Sequence, residues 1–341
     1  MQNLEAFREL INTPKKIVIT THFKPDADAL GSALGLAGYL RKKGHHITVI
    51  TPSDYPKFLF WMPNNEEVIN YEDYKLRGKS NKLIAEADII FCLDFSALSR
   101  IEAMADPVKQ SDAIKVMIDH HTFPEDFAQF SYHDTKAAAT AQLIFQLIVL
   151  LGDESLLDVA ICECLYAGIM TDTGSFRHPS TTPAVHRIVA DIMEIGVNTN
   201  LIHRRIYDST TAERLNFLGY VLSEKLVILP EYRVAYFTVT EEELKRFNSQ
   251  TGDTEGIVNY GLQIEGVVMS VIIVDRPEAV KMSFRSVEEF AVNQIASKYF
   301  SGGGHKNASG GKTSGIGLEA TVEKFIGILP EYQAELLAVP I

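Results

Sequence analysis

KIVITTHFKPDADALGSALGLAGYLRKKG, residues 16–44, runs from a β-branched apolar stretch through a polar corner into a helical pattern. Residues 16–22 read as a buried strand, and residues 29–44 repeat small and apolar side chains at helical spacing. Where the strand stops lie His22, Asp26 and Asp28, three residues of types that bind cations. The cycle recurs downstream. HITVITP (46–52), ADIIFCLDFS (87–96) and AIKVMIDHH (113–121) are further strand candidates, with helical spacing at roughly 80–87 and at 97–109. Strands joined by crossovers of this length predict an α/β fold, a doubly wound and mainly parallel sheet. Three helices are expected after it, at 137–152, 158–174 and 181–196, the first two largely buried.

With 341 residues, the chain is long enough for two domains with separate cores. The expected boundaries are 1–196 for the first, 197–225 for a helical linker and 226–341 for a second, smaller α/β domain. In the second domain, strands are expected at 234–240, 267–275 and 279–286, with helices at 241–247, 254–264 and 292–300. A glycine-rich strand-like segment, SGGGHKNASGG, follows. Cys92, Cys162 and Cys164 form no paired motif, which points to core thiols in a reducing compartment. No apolar run reaches the roughly 18 residues of a membrane span. The chain therefore reads as cytoplasmic, with no membrane partner.

The formal net charge is −12, so there is no bulk positive field for coating long nucleic acid. An anionic substrate would need local compensation, which makes the carboxylates candidates for metal ligation. Four clusters stand out: His22 with Asp26 and Asp28, Asp94 at the end of IIFCLD, Asp119-His120-His121 at the end of VMID, and Asp172 at the end of an apolar helix. In open α/β sheets ligands bind beyond the carboxyl ends of the strands, which places the first three clusters in one crevice. Unpaired carboxylates gathered there would raise one another's pKa, and divalent cations remove that penalty. Carboxylates mixed with imidazoles and no thiolate suit Mn²⁺, or Mg²⁺, better than structural zinc. The donors exceed the needs of one ion. Two ions activating a bridging water for in-line attack at phosphorus make phosphoester hydrolysis the expected reaction class. GGKT at 310–313 is no P-loop, because Lys306 stands where that motif requires glycine.

H-x-x-P-D-x-D, a lone Asp ending an apolar strand, D-H-H and a later D-T-G, in this order, resemble the DHH superfamily of phosphoesterases. Gly302-Gly303-Gly304-His305-Lys306-Asn307-Ala308-Ser309-Gly310 resembles the signature of its associated C-terminal domain, so the similarity spans nearly the whole chain. T-D-T-G-x-F-R at 171–177 and E-G-I-V-N-Y at 255–260 are similar to the nanoRNase/pAp phosphatase branch. The resemblance implies a DHH catalytic domain, a substrate-binding second domain and an active site in the cleft between them. It implies that His22, Asp26 and Asp94 hold one metal, that Asp28, Asp94, His120 and Asp172 hold the other, and that Asp94 bridges. Asp119 would orient His120 from behind. His121 would face the scissile phosphate as hydrogen-bond donor or proton source. Arg285, Gly303, Gly304, His305, Lys306 and Arg177 are the expected substrate contacts.

The function so implied is a Mn²⁺-dependent hydrolase of short oligoribonucleotides, acting from an end, that also converts 3′-phosphoadenosine 5′-phosphate (pAp) to AMP. Alternatives are a phosphodiesterase for cyclic dinucleotides or linear ones such as pApA and pGpG, and a manganese-dependent inorganic pyrophosphatase. Long duplexes are not expected as partners. A homodimer is left open.

Overall fold

A computed structural model describes residue 1 and residues 3–340. The chain folds as two compact units, Met1–Ser209 and the remainder from Thr210. The segment expected as a linker is divided between them. Its helix Thr199–Tyr207 buries Ile202 and Ile206 in the first unit, and its helix Ala212–Glu224 buries Phe217 and Val221 in the second. In both helices the apolar pair sits at i and i+4, one stripe seated on one core.

The first unit is built on a six-stranded parallel sheet of order β3-β2-β1-β4-β5-β6. The strands are β1 Lys16–Thr21, β2 His46–Thr51, β3 Ile69–Asn70, β4 Ile89–Leu93, β5 Ile114–Asp119 and β6 Phe130–His133. The sequence reading anticipates β1, β2, β4 and β5. It misses the outermost β3 and β6, which are two and four residues long and carry too little period-2 signal. One face is covered by the helices Ala27–Lys42, Thr140–Leu150 and Val159–Asp172, packed on Ile19, Phe91 and Val116. On the other face Ile101, Met104 and Val108 cover Val18, Ile90 and Cys92. The chain leaves β3 to re-enter on the far side of β1, so the strand order reverses between β1 and β4. That is the crevice where such sheets bind ligands.

Small residues in Ala27–Lys42 have a packing cause. A Cβ on Gly31 would lie 2.4 Å from the Cys164 carbonyl oxygen, so the helix can approach Val159–Asp172 only with glycine there. The three cysteines are unpaired and buried, and burial pushes the Cys92 and Cys162 thiols up to about 12. Among the described residues no helix is long and apolar enough to cross a membrane.

The second unit carries a sheet of order β11-β12-β10-β9-β8-β7, antiparallel except for the β8/β9 pair. Its strands are β7 Leu226–Leu229, β8 Val234–Val239, β9 Met269–Arg276, β10 Ala279–Ser286, β11 Gly303–His305 and β12 Ala308–Thr313. The helix expected over 254–264 shortens to Ile257–Gly261. The sequence reading also lacks the 21-residue helix Leu318–Ala338, whose helical signal Pro330 interrupts. Phe325, Leu329 and Leu336 of that helix are buried against the sheet.

Candidate active site

β1 ends at Thr21, and the chain turns through His22 to Asp26, whose Oδ1 caps the following helix by accepting the Asp28 and Ala29 N–H groups at 3.0 Å each. The His22 Nδ1–H donates to the Phe23 carbonyl at 2.9 Å. Its Nε2 therefore carries the lone pair, 3.9 Å from Asp26 Oδ1 and 3.5 Å from Asp94 Oδ2. Asp94, directly after β4, holds a left-handed backbone with φ of 64°, fixed by its N–H bond to the Ile118 carbonyl at 3.0 Å. Aspartate tolerates this conformation better than most residues, and here it aims the carboxylate into the crevice.

Asp94 Oδ1 faces a second group. His120 Nδ1–H donates to the Ala137 carbonyl at 3.1 Å. Its Nε2 lies 3.8 Å from Asp28 Oδ2, 3.5 Å from Asp94 Oδ1 and 3.3 Å from Asp172 Oδ2. Asp28 is held by the start of Thr140–Leu150: the Thr140 N–H donates to Oδ2 at 2.7 Å and the Ala141 N–H to Oδ1 at 2.9 Å. The Thr140 hydroxyl donates to Asp94 Oδ1 at 2.8 Å, so one helix start fixes both carboxylates. Asp172 arrives as the last residue of Val159–Asp172. One turn earlier, a Cβ on Gly168 would lie 2.7 Å from Asp28 Oδ1 and 2.8 Å from the Ala141 Cβ. Gly168→Ala should therefore displace Asp28 and lower hydrolysis by about two orders of magnitude, the scale of a misplaced catalytic group. A steady-state assay with Mn²⁺ checks this; wild-type turnover would contradict the packing argument.

Asp119 corrects one expectation. Its Oδ1 accepts from His121 Nδ1–H at 2.8 Å and its Oδ2 from the His121 backbone N–H at 3.2 Å, so it orients His121 and not His120. The reason is strand geometry: residues two apart on extended backbone share a side, whereas His120 points the other way, where the Ala137 carbonyl receives it. His133, on β6 opposite Asp119, donates from Nε2 to the His121 carbonyl at 2.6 Å and steadies the same corner.

Burial, then Asp94, Asp172 and Asp26, push the Asp28 carboxyl well above the usual carboxylate range. Burial alone would push Asp94 up too, but His22, His121 and His120 hold it down. Burial opposes charge on His22, yet Asp94 and Asp26 raise it. This crowding suits a cation. Donor atoms of His22, Asp26 and Asp94, and again of Asp28, Asp94 and His120, lie within 4.8 Å of one another. The imidazole–carboxylate spacings of 3.3–3.9 Å are close to the roughly 3 Å edges of an octahedron whose metal–oxygen bonds are about 2.1 Å. With both ligand-type imidazoles presenting Nε2, the residues fit two adjacent divalent-cation sites that share Asp94.

In the second unit the glycine run forms a tight hairpin. A Cβ on Gly302 would lie 2.0 Å from the Gly310 carbonyl oxygen, and Gly304 has φ of 138°. Close strand packing thus accounts for Gly302 and Gly304 before any ligand is invoked, whereas a Cβ on Gly303 would meet nothing within 4 Å. Arg285 on β10 lies opposite Ala308, and Ala308 opposite His305, so the three share one face of the sheet. Lys281 and Lys312 form another opposed pair on that face, while Met282 and Phe284 point into the core. Gly303 pairs with Gly310 on the same face, and Lys306, beyond the strand end, is ion-paired with Glu289. In the first unit, Arg177 Nε donates to the Gly174 carbonyl at 2.8 Å, just after Asp172.

The sequence reading misses Thr140, whose roles are long-range, and Arg100. The latter is exposed after β4; its carbonyl accepts the Phe23 N–H at 2.7 Å, and its charge opposes protonation of His22. An R-I pair a few residues beyond Asp94 is the only local hint.

A model of the DHH family N-terminal domain matches residues 16–169 and a DHHA1 domain model matches residues 231–333. The bifunctional oligoribonuclease and PAP phosphatase NrnA of Thermus thermophilus is 33% identical over 316 residues, which cover 92% of this chain and 89% of that one. The chain belongs to the DHH family. Its Bacillus subtilis relative of the same name is 28% identical over 297 residues, covering 86% of this DHH protein and 88% of the relative. The crystal structure of an exopolyphosphatase-related protein from Bacteroides fragilis superposes with a TM-score of 0.91 at 38% identity, over 98% of this chain and 97% of that one. Its DHH and DHHA1 domains make the chain a hydrolase of phosphoester bonds.

Proposed function

We propose that this DHH protein is a cytoplasmic phosphoesterase that hydrolyses short oligoribonucleotides to mononucleotides and pAp to AMP with two Mn²⁺ ions, Mg²⁺ being the alternative. What supports this reading above all is Asp94, whose two oxygens face different donor groups: His22 and Asp26 on one side, Asp28, His120 and Asp172 on the other. His22, Asp26 and Asp94 would hold one ion and Asp28, Asp94, His120 and Asp172 the other. Bound there, the ions supply neutralisation of phosphoryl oxygens and a lowered pKa for the attacking water. The relatives named NrnA support the substrate class.

The protein's own groups do the rest. Asp119 holds His121 with Nδ1 occupied, so His121 can deliver a proton from Nε2 to the departing ribose oxygen. The basic face carrying Arg285 and His305, with Gly303, Gly304 and Lys306 at its edge, grips a phosphate away from the bond that breaks. Arg177, steadied by the Gly174 carbonyl, is the candidate phosphate contact beside Asp172. Arg285→Ala should accordingly raise KM by about tenfold and leave kcat near wild type. An unaltered KM would remove Arg285 from the substrate site.

Release of AMP from pAp, measured with Mn²⁺ and after chelation, tests the proposal. Turnover that survives chelation would overturn it.

A further inference from the structure

Phe123 lies two residues beyond His121, and its position is unusual on two independent counts. Its side chain is 85% exposed, the most of any large apolar residue described, whereas Phe60, the other exposed phenylalanine, packs edge-on against Tyr55. Among the described residues Phe123 has no ring partner. Its backbone φ of 60° is left-handed, a conformation disfavoured for a bulky aromatic residue.

Neighbouring contacts hold this arrangement in place. The Ser96 hydroxyl donates to the Thr122 carbonyl at 3.3 Å, the Glu125 N–H donates to the Ser96 carbonyl at 2.7 Å, and the Leu98 N–H donates to Glu125 Oε2 at 3.1 Å. Phe127 stacks at 6.2 Å and 6° on the fully buried Phe95. The segment is thus fastened on both sides of Phe123 to the residues that follow Asp94. The ring is exposed two residues beyond His121 instead of being tucked into the core, where eight other phenylalanines of this unit are buried or half-buried. On the same 96–100 segment, Arg100 stands exposed beside the His22 loop.

We propose that Phe123 is a stacking platform for a nucleobase of the substrate, with Arg100 contacting the adjoining phosphate. This inference rests on the oligonucleotide and pAp reading above and adds base recognition to it. A π-face presented to solvent stacks any base with little sequence preference, which suits an enzyme that clears mixed short fragments. Phosphate-only compounds would gain nothing from the ring, so Phe123 favours nucleotides over pyrophosphate.

The test compares pApA with the same compound carrying abasic tetrahydrofuran residues in place of both nucleosides. Phe123→Ala should raise KM for pApA by about 5- to 100-fold and change KM for the abasic compound by less than about twofold. Phe123→Trp should retain wild-type KM for pApA, and Phe123→Leu, which keeps apolar bulk without the π-face, should resemble the alanine variant. Equal effects on both compounds, or none on pApA, would overturn the stacking role while leaving the phosphoesterase reading intact. Failure of the wild-type protein to cleave any nucleotide would overturn both. Because the ring is exposed, circular dichroism should be unchanged in all three variants.

Discussion

Asp94→Asn should lower hydrolysis of every substrate by at least about a thousandfold, the largest loss expected from any single conservative change. Asparagine keeps the size and accepts the Thr140 hydroxyl bond, so the fold should persist, with cooperative unfolding and an unchanged circular dichroism spectrum. What it loses is the shared negative charge. The wild-type protein should melt higher with Mn²⁺ than with chelator, because an ion that binds only the folded state stabilises it by mass action. In the variant that increment should shrink sharply. Removing Asp26, which faces His22 from the rim, should weaken one site and spare the other. Near-normal activity in Asp94→Asn would contradict the sharing of Asp94 by both donor groups.

The second large effect is at His121. Replacing it with alanine should reduce kcat by about 10²- to 10⁴-fold, the usual worth of a positioned proton donor, with KM little changed. Mn²⁺-dependent stabilisation should survive, since the ligand-type imidazoles are His22 and His120. The loss should be much smaller for a p-nitrophenyl phosphoester, whose leaving group departs without a proton. Asp119→Asn should move the same parameter by less, because Asp119 acts only by orienting His121. An equal loss on the nitrophenyl ester would assign His121 a role other than proton donation.

The sheet and most of the carboxylate–imidazole cluster were legible in the sequence for a specific reason. Each of β1, β4 and β5 is an apolar run long enough to register, and each ends at residues of the carboxylate–imidazole cluster. His22, Asp94 and Asp119-His120-His121 could therefore be placed at one edge by the strand rule alone. Asp172 was readable as the end of an apolar helix, and the crossing that brings it to His120 depends on close packing at Gly31 and Gly168. What escaped was set by tertiary contact. Thr140 is an ordinary helix start until the fold sets it under Asp28 and Asp94, and His133 gains meaning only by lying opposite Asp119 in a four-residue strand. The partner of Asp119 was misread because adjacency in D-H-H suggested His120, while the alternation of extended backbone selects His121. Strand packing accounts for Gly302 and Gly304 of the hairpin.

The central claim is tested most directly by product identity across one substrate panel with Mn²⁺: pAp, di- to pentaribonucleotides, cyclic di-AMP and pyrophosphate. The account predicts AMP and phosphate from pAp, mononucleotides from the short oligomers, and negligible turnover of pyrophosphate. Rapid cleavage of cyclic di-AMP alone, or of pyrophosphate alone, would contradict it.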